Sequence, residues 1–129
     1  TVIVNVDDER LAQWPKRLVG KKVVTAGSAS PIAKVRVRVD GPRWHIEVDG
    51  REIGDFTAPI GVQPSNVACA IAAAIEVGVP LEEIPNRCVF TPVANRLQSA
   101  QASSGVWVID DTFNANPASA LAAVDRQCT

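Results

Sequence analysis

Aromatic residues make up only 5% of this 129-residue chain, against 47% hydrophobic residues overall. The expected core is therefore aliphatic, built from Val, Ile, Leu and Ala. Cysteine and histidine are equally sparse. Cys69, Cys88 and Cys128 stand far apart with no C-x-x-C pair, and His45 is the one histidine. That excludes the usual zinc spacings, and an odd cysteine count argues against a disulfide framework; reduced thiols in a cytosol fit best. Charge of either sign is not in excess, the net being −1. No basic face points to nucleic acid, and there is no acidic tail. Long apolar runs are missing too. The most apolar stretch, Val67–Val77, is far short of the roughly 20 residues of a spanning helix. Nor is there a G-x-x-x-x-G-K-[ST] loop to cradle a triphosphate.

What is present reads as α/β. Val2–Val6 is a short buried strand ending in Asp7-Asp8. Leu11, Trp14 and Leu18 have helical spacing, which places a helix within residues 8–19, interrupted or restarted at Pro15. Lys22–Ala26 is a second buried strand, so the opening is a βαβ unit of a parallel sheet. The middle alternates instead. Val35, Val37 and Val39 interleave with Lys34, Arg36, Arg38 and Asp40, and Trp44, Ile46 and Val48 interleave with Arg43, His45 and Glu47. With turns at Asp40-Gly41-Pro42 and Asp49-Gly50, and a third strand over Glu52–Ala58, this is an antiparallel meander.

A helix opens at Pro64-Ser65, with Val67, Ala70, Ile71, Ala74 and Ile75 as its apolar stripe. Its remaining alanines imply close packing, and Gly78 and Pro80 end it. A short helix follows from Leu81 to about Arg87. Gln98–Gly105 is small and polar and reads as a linker or turn, which places a domain boundary near residue 98. Val106–Ile109 is the last strand; Asn116 and Pro117 suit the cap and first turn of a closing helix. Both termini look cut, as in a piece of a larger protein.

The chemistry-bearing candidates gather late in the chain. Asp110 and Asp111, at a strand's carboxyl end, could accept hydrogen bonds from ribose hydroxyls or bind Mg²⁺; the alternative is a turn cap and a solvated carboxylate. Asn116 is better explained as a cap, which leaves Asn114 as the freer side chain. Arg96 could reach phosphate or ribose in an interdomain cleft, or be an ordinary surface arginine. Asn66 either caps its helix or faces a cleft. His45 reads as solvated, and Cys69 and Cys88 as small core residues.

Asp110–Ser119, D-D-T-F-N-A-N-P-A-S, closely resembles the D-D-[ST]-[YF]-N-A-N-P-x-S segment of the Mur ligases. It is most similar to the branch that joins D-alanyl-D-alanine to a UDP-muramoyl tripeptide. Three further stretches agree in order and spacing. Val4–Asp8 resembles the family's N-x-D-D strand end. Asn66 with Val77–Ile84 is similar to its H-N-x-x-N helix and G-[IV]-P-x-E-x-I turn. Phe90–Gln98 is similar to its F-x-P-V-x-G-R-L-[QE] boundary.

The resemblance implies that residues 1–97 are the second half of a central ATP-binding domain lacking its phosphate loop, and that residues 98–129 open a Rossmann-like C-terminal domain. It implies a cytoplasmic ATP-dependent amide-bond ligase of peptidoglycan precursor synthesis, working through an acyl phosphate. ATP and Mg²⁺ serve the parent protein, and none is expected to bind this segment tightly. The implied partners are the UDP-muramoyl peptide and D-alanyl-D-alanine, with neither nucleic acid nor membrane.

Carried over by position, Asn66 approaches adenine, Arg96 and Asp111 the ribose and phosphates, and Asn114 the incoming substrate. No catalytic residue and no metal ligand falls within the segment. Four positions depart from the family pattern: Gln63, Ser65, Cys69 and Asn95. They keep open a diverged, non-catalytic binding or scaffolding module. The segment after residue 98 is expected to be poorly anchored or to pair with another copy, since an unpartnered strand with Val106, Val108 and Ile109 would leave hydrophobic edges exposed.

Overall fold

The computed structural model describes residues 1–58, 61–91, 98–110, 120, 121 and 124. Arg96, Asp111 and Asn114 lie outside them, as do Asn95, Asn116 and Pro117. The chain divides into two compact units: residues 1–58 with 62–90, and residues 59–61 with 91–129.

The first unit is a mixed five-stranded sheet in the order β1 (Val2–Asn5), β2 (Val23–Gly27), β3 (Val35–Asp40), β4 (Arg43–Val48) and β5 (Arg51–Thr57). β1, β2 and β3 run parallel, and β3, β4 and β5 antiparallel. The alternation over residues 34–48 therefore sorts the meander's faces as expected. Val35, Val37, Trp44, Ile46 and Phe56 are buried on one face. Arg36, Arg38 and Glu47 form ion pairs on the other, where His45 Nδ1 sits 3.0 Å from Glu52 Oε1 and is thus paired rather than merely solvated. At the β4–β5 hairpin Asp49 and Gly50 both take positive φ, 49° and 78°, the twist that a two-residue turn needs.

The helix expected within residues 8–19 is reduced to one turn, α1 (Trp14–Arg17). Residues 8–13 form turns held by Leu11 and Ala12 N–H groups on the Asp8 carbonyl. Pro15 is the cause: it has no N–H to offer and suits only a helix start.

α2 (Pro64–Glu76) covers the buried face of the sheet. Its stripe is rotated from the expected one. Val67, Ala68, Ile71 and Ala72 are buried, whereas Ala70 is exposed. Ala68 and Ala72 have no exposed surface, so their small side chains let the helix lie close to the strands. Its end is a Schellman cap: Gly78, at φ 94°, follows the last turn, and the Val79 N–H reaches the Ala74 carbonyl at 3.0 Å.

A 3-10 turn, Leu81–Glu83, leads into α3 (Ile84–Arg87), which packs on β5. The contact requires Gly54, which sits beside a register shift at Ile46/Glu47 with φ 147°; a Cβ there would stand 2.6 Å from Pro85. The core is not purely aliphatic. Trp44 meets Phe56 edge-on at 5.9 Å, and Phe56 stacks on Phe90 at 5.6 Å, so three of the chain's six Trp and Phe residues gather there.

The second unit contains an antiparallel pair, β6 (Gln98–Gln101) and β7 (Trp107–Asp110). β6 overturns the reading of Gln98–Gly105 as linker. Only its second half, residues 102–105, is a turn, closed by the Ala102 N–H on the Val106 carbonyl at 2.8 Å, with Gly105 at φ 85°. β7 accordingly has a partner within the chain, β6, that the sequence did not reveal. Sequence pattern misses β6 because Gln98, Ser99, Ala100 and Gln101 carry no apolar alternation. Among the described residues no helix is long and apolar enough to cross a membrane.

Candidate functional site

The ends of α2 fix which edge of the sheet can carry chemistry. Near its C-terminus, Glu76 accepts from Thr1 Oγ1 at 2.8 Å and pairs with Lys22 Nζ at 2.7 Å. Thr1 and Lys22 directly precede β1 and β2. Those partners, Lys22 first, hold the Glu76 carboxyl below the usual glutamate range. α2 therefore runs antiparallel to the two strands, and its N-terminus stands over their carboxyl ends. That edge is where α/β sheets place ligands.

Asp7 organises the edge. It follows β1, and its carboxylate accepts three backbone N–H groups of the loop after β2: Ser28 at 2.6 Å, Ala29 at 3.1 Å and Ser30 at 2.8 Å. Its own N–H donates to Asn5 Oδ1 at 3.1 Å. A Cβ on Gly27 would come within 2.6 Å of Asp7 Oδ1, so glycine is required for the carboxylate to fit. Sequence reading placed Asp7 only within an N-x-D-D strand end and missed this role. The available signal was the pairing of an aspartate after one parallel strand with Gly27-Ser28 at the end of the next.

Asn66 lies in the first turn of α2, but it is not the cap. Gln63 takes that position in extended conformation and makes no side-chain capping bond. Asn66 instead lines a cavity of about 420 Å³ between α2 and residues 79–90, together with Ala70, Ile71, Arg87, Cys88 and Phe90. Arg87 is engaged by Glu83, through Nε at 2.8 Å and Nη2 at 2.6 Å. Asn66 thus offers this mostly apolar space an amide with both a donor and an acceptor, a combination suited to the edge of a planar heterocycle. Cys69, one turn further along, packs partly buried against the core and does not line the cavity. Burial first, and then the charge of Asp7, push its thiol above the usual cysteine range. Burial alone does the same to Cys88. Both are half-buried free thiols, as the sequence suggested.

Asp110 ends β7 opposite Gln98, at the strand terminus where the sequence reading put it. The positions of Arg96, Asp111 and Asn114 relative to Asn66 fall outside the described residues. The residues present suit a heterocyclic base. They do not suit a triphosphate and its metal: the chain has no glycine-rich phosphate loop, and among the described residues no group of three or more His, Cys, Asp or Glu could hold an ion.

No protein-family model matches the chain. Curated proteins do. The chain is 33% identical to the UDP-N-acetylmuramoyl-tripeptide–D-alanyl-D-alanine ligase of Mycobacterium leprae, over 95% of its own length and 27% of the relative's. It is 30% identical to the ligase of the same name from Mycobacterium tuberculosis, over 95% and 26%, and 25% identical to that of Buchnera aphidicola from Acyrthosiphon pisum, over 96% and 29%. The likeness read from Asp110–Ser119 therefore extends over nearly the whole chain. Across almost all of its length the chain is a Mur-ligase-like segment, similar to UDP-N-acetylmuramoyl-tripeptide–D-alanyl-D-alanine ligases and spanning about 27% of the length of the Mycobacterium leprae relative.

Proposed function

We propose that this chain is part of an ATP-dependent amide-bond ligase of peptidoglycan precursor synthesis, one that adds D-alanyl-D-alanine to a UDP-muramoyl tripeptide in the cytoplasm. The observation that carries the reading is the likeness, along 95% or more of this chain, to several ligases of that name. In such a reaction a carboxylate oxygen of the tripeptide attacks the γ-phosphorus of ATP, releasing ADP and forming an acyl phosphate. The amine of D-alanyl-D-alanine then attacks the acyl carbon, and phosphate leaves. Neutralising the charge of the phosphoryl group in flight is the main catalytic demand, and Mg²⁺ bound with ATP supplies much of it.

In this reading residues 1–97 complete a central ATP-binding domain and residues 98–129 begin the C-terminal domain. Asn66 reads the adenine edge from the mouth of its cavity. Arg96 and Asp111 contact ribose and phosphates, and Asn114 the incoming substrate. Asp7 holds Ser28–Ser30 in place at the same sheet edge. The phosphate loop and metal ligands come from elsewhere in the parent, so the segment alone is inactive. The test is phosphate release by the parent protein: turnover that requires both the UDP-muramoyl tripeptide and D-alanyl-D-alanine supports the proposal, and its absence in folded protein rejects it.

A second reading rests on Gln63, Ser65, Cys69 and Asn95, which depart from the family pattern on the nucleotide side. A thiol at Cys69 cannot pair with both a donor and an acceptor as an amide does, and these changes favour a binding or scaffolding module without catalysis. ATP binding by the parent separates the two readings. Saturable binding accompanied by turnover supports the ligase, and folded parent protein that binds no ATP supports the module.

A further inference from the structure

We draw no further inference here: the strongest candidate, the apolar cavity between α2 and residues 79–90, belongs through Asn66 to the site already described, and nothing in the structure shows what covers its remaining apolar walls.

Discussion

Asp7 is the residue on which the candidate edge depends. Three N–H groups converge on one carboxylate, and bonds to a charged acceptor are worth more than neutral ones. Asp7→Ala leaves those donors without their acceptor and is expected to cost about 2 kcal/mol, read as a lowered urea midpoint at unchanged slope. Gly27→Ala drives a methyl into the same carboxylate and should lose about 1–3 kcal/mol. The two losses should be clearly less than additive, because both act on one contact. The cysteines give a second residue-scale prediction. With both thiols pushed up in pKa, alkylation at pH 8 of Cys69 and Cys88 should run slower than that of a free cysteine peptide, followed peptide by peptide in a mass spectrometer. Modification at the free-peptide rate would show that burial does not protect them. These roles were only partly legible in sequence. Asn66 was singled out because it opens a helix. Asp7 passed as part of a motif, because its bonding partners lie more than 20 residues away and are backbone groups that any sequence supplies.

At the scale of elements, alternation and turn chemistry decide most of the outcome. The meander from Val35 to Thr57 was legible because period two separates the buried valines from the ion-paired face, and because Asp49-Gly50 takes the positive φ values of a tight hairpin. The 8–19 helix failed at Pro15, and β6 was missed because four small or polar residues carry no period. α2 was foreseen but turned, since alanine marks neither face of a helix. On the ion-paired face, hydrogen bonds from Arg36, and more weakly from Arg38, outweigh partial burial and hold Glu47 below its ordinary pKa. A carboxyl whose folded pKa is depressed stabilises the fold above its unfolded pKa and loses that contribution as pH falls through the folded value. Glu47→Gln should therefore lower stability at pH 7 by about 1 kcal/mol or less and flatten the loss of stability below the glutamate range. An unchanged acid limb would count against the pairing. Ile46, fully buried in the middle of β4, sets the larger scale: Ile46→Ala should cost about 3 kcal/mol. Gly54→Ala, which meets Pro85 at a positive φ, should loosen α3 from β5, visible as faster amide exchange in residues 81–88.

For the whole molecule, the decisive fact is proportion: the chain aligns along 95% of its length with 27% of the Mycobacterium leprae ligase. Its described residues present a cavity of about 420 Å³ lined in part by Asn66, whereas the sequence has no phosphate loop. The isolated 129-residue chain is accordingly expected to bind ATP no more tightly than the millimolar range, and calorimetry giving a micromolar Kd would overturn that division of labour. The measurement that tests the central claim most directly is mass spectrometry of the reaction product. The parent protein is incubated with ATP, Mg²⁺, UDP-muramoyl tripeptide and D-alanyl-D-alanine. The account predicts a UDP-muramoyl pentapeptide, formed only when all four are present and lost or sharply reduced in Asp111→Ala. Folded parent protein that consumes no ATP and leaves the tripeptide unchanged would contradict it.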